Sequence, residues 1–458
     1  MTPITLVRKL SGISENYFLL ESVEGGNKWG RYSFLGYDPI MKVSCLNKVV
    51  KVEDENGKVD EIKTDKPLDV IKDIMKDYRA PRLKDVPPFA GGFMGYFAYS
   101  MIGYAEPVLN IKKGLSKDYE LMLFDKIIAY DHLKQKICII VNMKTDRVME
   151  NYGKAMADIE KIISTINNAP VTDSPVTEKE VTFKCNVSKE EYMRTVEKTK
   201  EYIYEGDIFQ AVISRQFSAD YKSSLLNAYR VLRTTNPSPY MVYYHFGEEE
   251  LMSTSPETLV RLENGRLTTF PVAGSRPRGL TEEEDEKLAR ELLADEKELA
   301  EHNMLVDLGR NDLGRISKFG SVSVTKYKML HRYSKIMHIC SQVEGDIRDD
   351  EDSMSAIEAV LPAGTLSGAP KIRACEIIEE MESEPRGIYG GALGYVDFTG
   401  NLDTCIAIRM AVHHEGKVYV QAGGGIVADS SPEAEYEESA NKAAAVMNAI
   451  IRAREVEG

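Results

Sequence analysis

The chain has 458 residues, enough for two ordinary domains or one large one with a sizeable core. Hydrophobic residues make up 43% of it, as in a globular protein, and 72 acidic against 58 basic residues give a formal charge of −14. That charge argues against a nucleic-acid polyanion as partner, and makes a metal ion the better recruiter of any anionic substrate.

In chain order, MTPITLVRKLSG has no apolar core ahead of a small-residue cleavage site, so no secretory signal is expected. The runs MKVSCLNKVVKVED and KIIAYDHLKQKICIIVN alternate with turns and predict antiparallel sheet. Between them PPFAGGFMGYFAYSMIGY (87–104) is broken by Gly and Pro and too short to span a bilayer; it predicts buried, glycine-rich sheet. RVMENYGKAMADIEKII (147–163) has helical periodicity, and the polar STINNAPVTDSPVTEKE (164–180) reads as a linker. The expected division is therefore a β-rich 1–165, a linker 166–184 and a second domain 185–458. SKEEYMRTVEKTKEYIYEGD predicts an amphipathic helix capped by Ser188 with Glu191 three residues on, followed by the strands FQAVISRQFSA and YMVYYHFG. No regular βαβ rhythm and no internal repeat is visible, so the class is α+β, with large antiparallel sheets flanked by helices. The six cysteines lie far apart without a C-x-x-C pair, against a disulfide framework or a zinc site; a reducing cytoplasm is the expectation.

Two acidic pairs stand out. In DEKELAEHNMLVDLG, Leu299, Met304, Leu305 and Leu308 recur at helical spacing, so Glu298 and Glu301 project from one side of a helix. In SSPEAEYEESANKAAAVMNAII, Ser430, Ser431 and Pro432 open another helix that carries Glu435 and Glu438. Each pair alone reads equally as a solvated helix face. Facing each other, they would make the hard, oxygen-only site that magnesium prefers. PAGTLSGAPKIRA puts Gly364, Thr365, Gly368 and Ala369 before a helix with Lys371 and Arg373, and YVQAGGGIVADSSPE puts three glycines after a strand. Amides of such loops can approach a carboxylate, or the loops are merely turns; neither matches a nucleotide fingerprint.

The stretches LLESVEGGNKWGRYSFLG, GDIFQAVISRQF, NPSPYMVYY, STSPETLV, PVAGSRPRG, AEHNMLVDLGRNDLGRI, RYSKIMHI, PAGTLSGAPKIRA, YGGALGYVDFTGNLDTCIAIR and QAGGGIVADSSPEAEYEESANKA occur in the order seen in chorismate-utilising enzymes. The chain resembles that family, and within it the large aminase subunits of anthranilate synthase, over nearly its whole length and most densely from 185 to 450. The resemblance implies sheets stacked as a sandwich, a regulatory 1–165 and a chorismate-binding catalytic 185–458. It also implies Mg2+ as cofactor, with Glu301 and Glu438 as direct ligands and Glu298 and Glu435 ordering its waters. Arg409 and Tyr389 would receive the enolpyruvyl carboxylate of chorismate, with Thr365, Gly424 and Gly425 completing the cradle. Glu257 in STSPETLV would protonate the departing ring hydroxyl, or be only a turn glutamate; His338 in IMHICS would assist pyruvate loss, or be a core histidine.

Gln210 stands where relatives that add water carry a lysine base, and Ala273 where lysine-type aminodeoxychorismate synthases carry a nucleophile, with Ser275 in place of a threonine nearby. No G-x-C-x-G-x-[QH] nucleophile elbow is present, so glutamine-derived ammonia requires a separate glutamine amidotransferase subunit. LLES (19–22) and NPSPYM (236–241) match the family's tryptophan inhibitor site, which assigns Glu21, Ser22, Pro239, Tyr240 and Met241 to it. The alternatives are the large subunit of an aminodeoxychorismate synthase and a non-catalytic tryptophan or chorismate sensor of the same fold.

Overall fold

The computed structural model describes residues 1–22, 30–114, 116–332 and 336–456. Parts of two quoted motifs, 23–29 and 333–335, lie outside the described residues. Two antiparallel sheets, of 11 and 12 strands, dominate the α+β architecture. The first runs from Lys184–Cys185 through Gln210–Asp220, Lys417–Ile426, Met410–His414, Glu249–Ser255, Tyr240–Phe246, Asn16–Glu21, Tyr32–Tyr37 and Lys126–Asp131 to Lys136–Val141. Gly368–Ala369 pairs off its strand Gln210–Asp220. The second runs from Val272–Pro277 through Ile336–Asp346, Arg266–Thr269, Thr258–Glu263, Leu402–Ile406, Ala392–Asp397, Gly92–Phe97, Tyr119–Phe124, Met41–Leu46 and Val49–Asp54 to Val59–Lys63, with Ser323–Arg332 alongside Ile336–Asp346.

The facing sides of the two sheets meet in an aromatic core. Phe18 of the first packs edge-on against Phe124 of the second, ring centroids 4.8 Å apart, and Tyr244 stacks on Tyr96 at 6.2 Å. Such pairs add stability beyond the area they bury. The outer faces are closed by amphipathic helices. Leu6, Leu226, Ala443 and Val446 cover the first sheet from the helices Pro3–Leu10, Leu226–Thr235 and Pro432–Ile451. Leu68, Val306, Leu313 and Ile357 cover the second from Pro67–Lys76, Glu296–Gly314 and Ser353–Val360.

Local chemistry sets the ends of these elements. The helix Lys189–Tyr204 opens on a full capping box, Ser188 accepting from the Glu191 amide and Glu191 accepting from Ser188. The helix Glu296–Gly314 opens on Asp295, whose carboxylate accepts from the amides of Lys297 and Glu298. Pro432 occupies the first turn of Pro432–Ile451, where its missing N–H costs nothing. Gly92–Phe97 is buried throughout, and among the described residues no helix is long and apolar enough to cross a membrane.

The 166–184 division is one of the chain and not of the sheets. Asn16–Glu21 pairs with Tyr240–Phe246, and Gly92–Phe97 with Ala392–Asp397, so strands from 1–165 continue both sheets of 185–458. The helix Val148–Asn168 runs on through the STINN assigned to the linker.

Candidate active site

The two acidic pairs face a shared region from different helices. Glu301 has its carboxyl pushed above the usual range, by burial first, then by Glu298 and Glu438, with Lys297 and Lys442 opposing. Glu435 is raised likewise, by burial and then by Glu438 across the turn, against the Ser430 hydroxyl, Lys442 and Lys297. Ser430 donates to Glu435 Oε1 at 2.7 Å, while Glu435 Oε2 is buried with no hydrogen-bond partner. Glu438 pairs with Lys442 at 2.7 Å, and Glu298 lies 3.4 Å from Arg276. The carboxylates share a field, yet among the described residues no three acidic, His or Cys groups close into a metal cluster. Magnesium suits these donors: hard oxygens, one of them orphaned in the interior, and carboxyls whose negative charge is under-compensated.

The three glycines of QAGGGIV lie inside the strand Lys417–Ile426, not in a loop after it as the sequence suggested. Neighbours occupying their side-chain space explain this. A Cβ on Gly424 would strike the carboxylate of Glu435, and one on Gly425 would strike the amide of Gln210. Glycine here lets a strand pass beneath two polar side chains of the site. PAGTLSGAPKIRA folds as a short 3-10 turn, Gly364–Leu366, then a bridge to Gln210–Asp220 and the helix Lys371–Met381. Lys371 is committed to Asp312 at 2.8 Å and Arg373 to Asp207 at 2.6 Å, so neither cation of that helix is left for an anion.

Arg409 sits in the bend after the strand Leu402–Ile406 rather than at its end, with φ of +49°. A non-glycine residue in that region carries strain of order 1 kcal/mol, which sites rather than scaffolds tend to hold. Burial lowers its pKa, and Glu257, Tyr389 and Glu438 raise it. Arg409 is thus the cation felt by the general-acid candidate, the phenol and a metal-ligand candidate together. Glu257 lies in the turn between Glu249–Ser255 and Thr258–Glu263. Desolvation pushes its carboxyl above the ordinary value, against Thr365, Lys442 and Arg409. The Thr365 hydroxyl donates to Glu257 Oε2 at 3.0 Å, so it serves the acid directly. Tyr389 is buried and its phenol is held protonated, mainly by desolvation.

His338 is the cross-strand partner of Ser275, and its Nδ1 lies 2.9 Å from the Ser275 hydroxyl and 3.3 Å from the Gly274 carbonyl. A carbonyl only accepts, so Nδ1 carries the proton and Nε2 is the basic nitrogen. Burial, then the Arg409 charge against the Gly274 bond, keeps the ring neutral.

One group escaped the sequence reading. Lys442 lies four residues after Glu438, donates 3.0 Å to the Gly423 carbonyl and lowers the proton affinity of Glu257, Glu301 and Glu435. Its i, i+4 spacing from Glu438 was a legible signal. Gln210 is buried with its side-chain carbonyl unpartnered. It lines a hollow of about 860 Å³ together with Glu301, while Arg409, Glu438 and Lys442 line another of about 430 Å³.

The five residues assigned to inhibitor binding also converge, away from these hollows. Glu21, Ser22, Pro239, Tyr240 and Met241 all line one cavity of about 630 Å³ between the sheets. Glu21 itself is committed: Arg233 donates to both its oxygens at 2.7 and 2.9 Å, and the Tyr229 hydroxyl donates at 2.9 Å. Tyr240 donates to Asp403 at 2.8 Å, and Arg261 lies 3.6 Å from the same carboxylate.

Residues 17–448 match the family described as chorismate binding enzyme. Anthranilate synthase component 1 from Acetivibrio thermocellus is 47% identical over 99% of this chain and 94% of its own length; that from Aquifex aeolicus is 45% identical over 99% and 93%. The crystal structure of anthranilate synthase component I from Streptococcus pneumoniae superposes with a TM-score of 0.81 at 37% identity, covering 93% of each chain. The chain therefore belongs to the chorismate binding enzyme family.

Proposed function

We propose that the chain is the aminase component of an anthranilate synthase, converting chorismate and ammonia to anthranilate and pyruvate at the start of tryptophan synthesis. The observation that carries the reading is the desolvated guanidinium of Arg409, sharing its field with a desolvated carboxylic acid, a phenol and a carboxylate of the acidic pairs.

Arg409 and Tyr389 bind the enolpyruvyl carboxylate, a planar anion matched to a guanidinium fork. The amides of Gly424 and Gly425 support the substrate from the strand beneath. Glu301 and Glu438 would hold magnesium directly, with Glu298 and Glu435 ordering its waters, and the ion would supply the positive charge that lets an acidic site accept the ring carboxylate. Ammonia forms a C–N bond at the ring carbon beside that carboxylate, the ring double bonds shift, and the hydroxyl leaves as water with the proton of Glu257. Its raised proton affinity suits Glu257 to this step. Neutral His338 then takes part as the proton on the amino-bearing carbon departs, the C–O bond to the side chain breaks, and pyruvate leaves an aromatic ring. Ala273 offers no amine for a covalent lysine route, which favours this reading over aminodeoxychorismate synthesis.

The relatives' name, component 1, and the lack of a glutaminase elbow in the sequence support a partner glutamine amidotransferase as ammonia source. The cavity at Ser22 and Tyr240 is suited to tryptophan as feedback inhibitor, with 1–165 as its regulatory part and the cytoplasm as its setting. Because both oxygens of Glu21 are taken by Arg233, its part is to hold the cavity wall; Tyr240 and Arg261 address Oδ1 of Asp403, so its Oδ2 and the Ser22 hydroxyl are the oxygens for the ligand's ammonium. Purified protein given chorismate, ammonium and magnesium should develop anthranilate fluorescence. Silence, with tryptophan or chorismate still bound in calorimetry, would favour the sensor instead.

A further inference from the structure

Arg215 is 1% exposed, among the largest fully buried side chains, and no carboxylate pairs with it among the described residues. A guanidinium taken from water without a counter-ion is costly unless something else answers its charge and its N–H groups. Three aromatic rings answer the charge: Tyr436, Phe217 and Tyr192, with centroids 3.8, 5.1 and 5.2 Å from Cζ. Nη1 points to the Cys185 sulfur at 4.0 Å, and the other N–H donors go to one turn of one helix. Nη2 donates to the Tyr436 carbonyl at 2.6 Å and Nε to the Ser439 hydroxyl at 3.0 Å, and that hydroxyl donates back to the Tyr436 carbonyl at 3.0 Å. The result is a closed ring of hydrogen bonds between the strand Gln210–Asp220 and the helix Pro432–Ile451.

Tyr436 and Ser439 each follow one of the acidic pair, Glu435 and Glu438. A step of one residue is about 100° around a helix, so the clamped stripe lies next to the carboxylate stripe. Carboxylates stand about 5–6 Å from the helix axis, and a 10° rotation of this turn would carry them about 1 Å. Sites lose much of their affinity over such a distance. We propose that Arg215 is a positioning residue: it fixes the rotation of the helix Pro432–Ile451 about its axis, and thereby aims Glu435 and Glu438 into the site. This rests on the role given above to those two carboxylates.

The test uses the full chain with Arg215→Lys, which keeps a cation among the rings but not the fork, and Ser439→Ala, which removes only the hydroxyl link. Val196→Ala, a packing change in the same buried cluster, serves as the control for lost stability. Amide hydrogen exchange of the segment 432–442, measured without metal, should speed up about tenfold in Arg215→Lys and about threefold in Ser439→Ala, but not in Val196→Ala. In the same order, chorismate KM and half-saturating magnesium should rise about tenfold and about threefold, with kcat changed less, as is usual when the support of a metal ligand is altered. If the Arg215 and Ser439 variants melt lower, as Val196→Ala does, but leave exchange, KM and magnesium dependence at parental values, Arg215 is merely structural and the inference is overturned. If exchange speeds up while Glu435→Gln and Glu438→Gln remain fully active, the clamp stands and it is the reading of the carboxylates that fails.

Discussion

The acidic site and the cavity proposed for the inhibitor are built by opposite means. The cavity at Ser22 and Tyr240 is mounted on paired strands of both sheets, enclosed by the sandwich, and finished: its wall carboxylate Glu21 already has Arg233, and Asp403 has Tyr240. The acidic site is mounted on two helices and a turn, divides between two hollows, and leaves Glu435 Oε2 without a partner. A pocket for a neutral zwitterion can be closed in advance by apolar packing. One for a dianion and a divalent cation has to hold charges whose mutual energy is settled only when all are present.

If that contrast holds, changes to the helical carboxylates should be far more damaging than changes to the cavity. Glu301→Gln and Glu438→Gln keep shape but remove charge, and should cut magnesium-dependent anthranilate formation by about a thousandfold; near-parental turnover in either would break the comparison. Glu257→Gln should lower turnover by about a hundredfold or more by removing the proton donor, with no aminated intermediate on chromatography, whereas His338→Ala should accumulate that intermediate. Because burial raises the Glu257 pKa and the acid acts protonated, kcat should fall as pH rises through that elevated value, and Glu257→Gln should lose the fall. Glu298→Gln and Glu435→Gln should cost about tenfold to a hundredfold.

On the cavity side the effects are smaller and leave catalysis alone. Ser22→Phe should fill the cavity and raise the tryptophan concentration for half inhibition about tenfold with uninhibited turnover intact; unchanged sensitivity would remove the inhibitor from this cavity. Asp403 is pushed up to about 6, by burial against Arg261 and Tyr240. It is therefore ionised above that pH and neutral below. Calorimetric tryptophan binding should weaken about fivefold from pH 7.5 to pH 5 as the charge is lost, and a flat profile would release Asp403 from contact with the ammonium.

What was legible in the sequence was local. Ser188 with Glu191, Pro432 at a helix start and the three-residue spacing of both glutamate pairs follow from rules that act within a few residues, and the structure places those elements accordingly. The glycines 423–425 were misplaced because the reason for them, the Ile213 backbone, Glu435 and Gln210 occupying their Cβ space in turn, comes from other parts of the fold. Glu21 looked available because its partner Arg233 is 212 residues away. Arg215 reads as one more polar strand residue until its ring cage is assembled from three separate segments. Arg409 was expected at a strand end, and only the bend after Ile406 turns it into the field of Glu257.

The sharing of both sheets by the two ends of the chain bears on how the protein is made. Lys417–Ile426 is the strand that joins Gln210–Asp220 to the strands beyond it, including Asn16–Glu21. Ribosomes add about 5–20 residues per second, so roughly 20–80 s pass between synthesis of the first strand and of the one that closes its sheet. Through that interval the nascent chain carries open strand edges and half-covered aromatic faces, the surfaces on which unfinished β proteins associate. Residues 1–416 therefore need shielding during translation that the finished sandwich no longer needs.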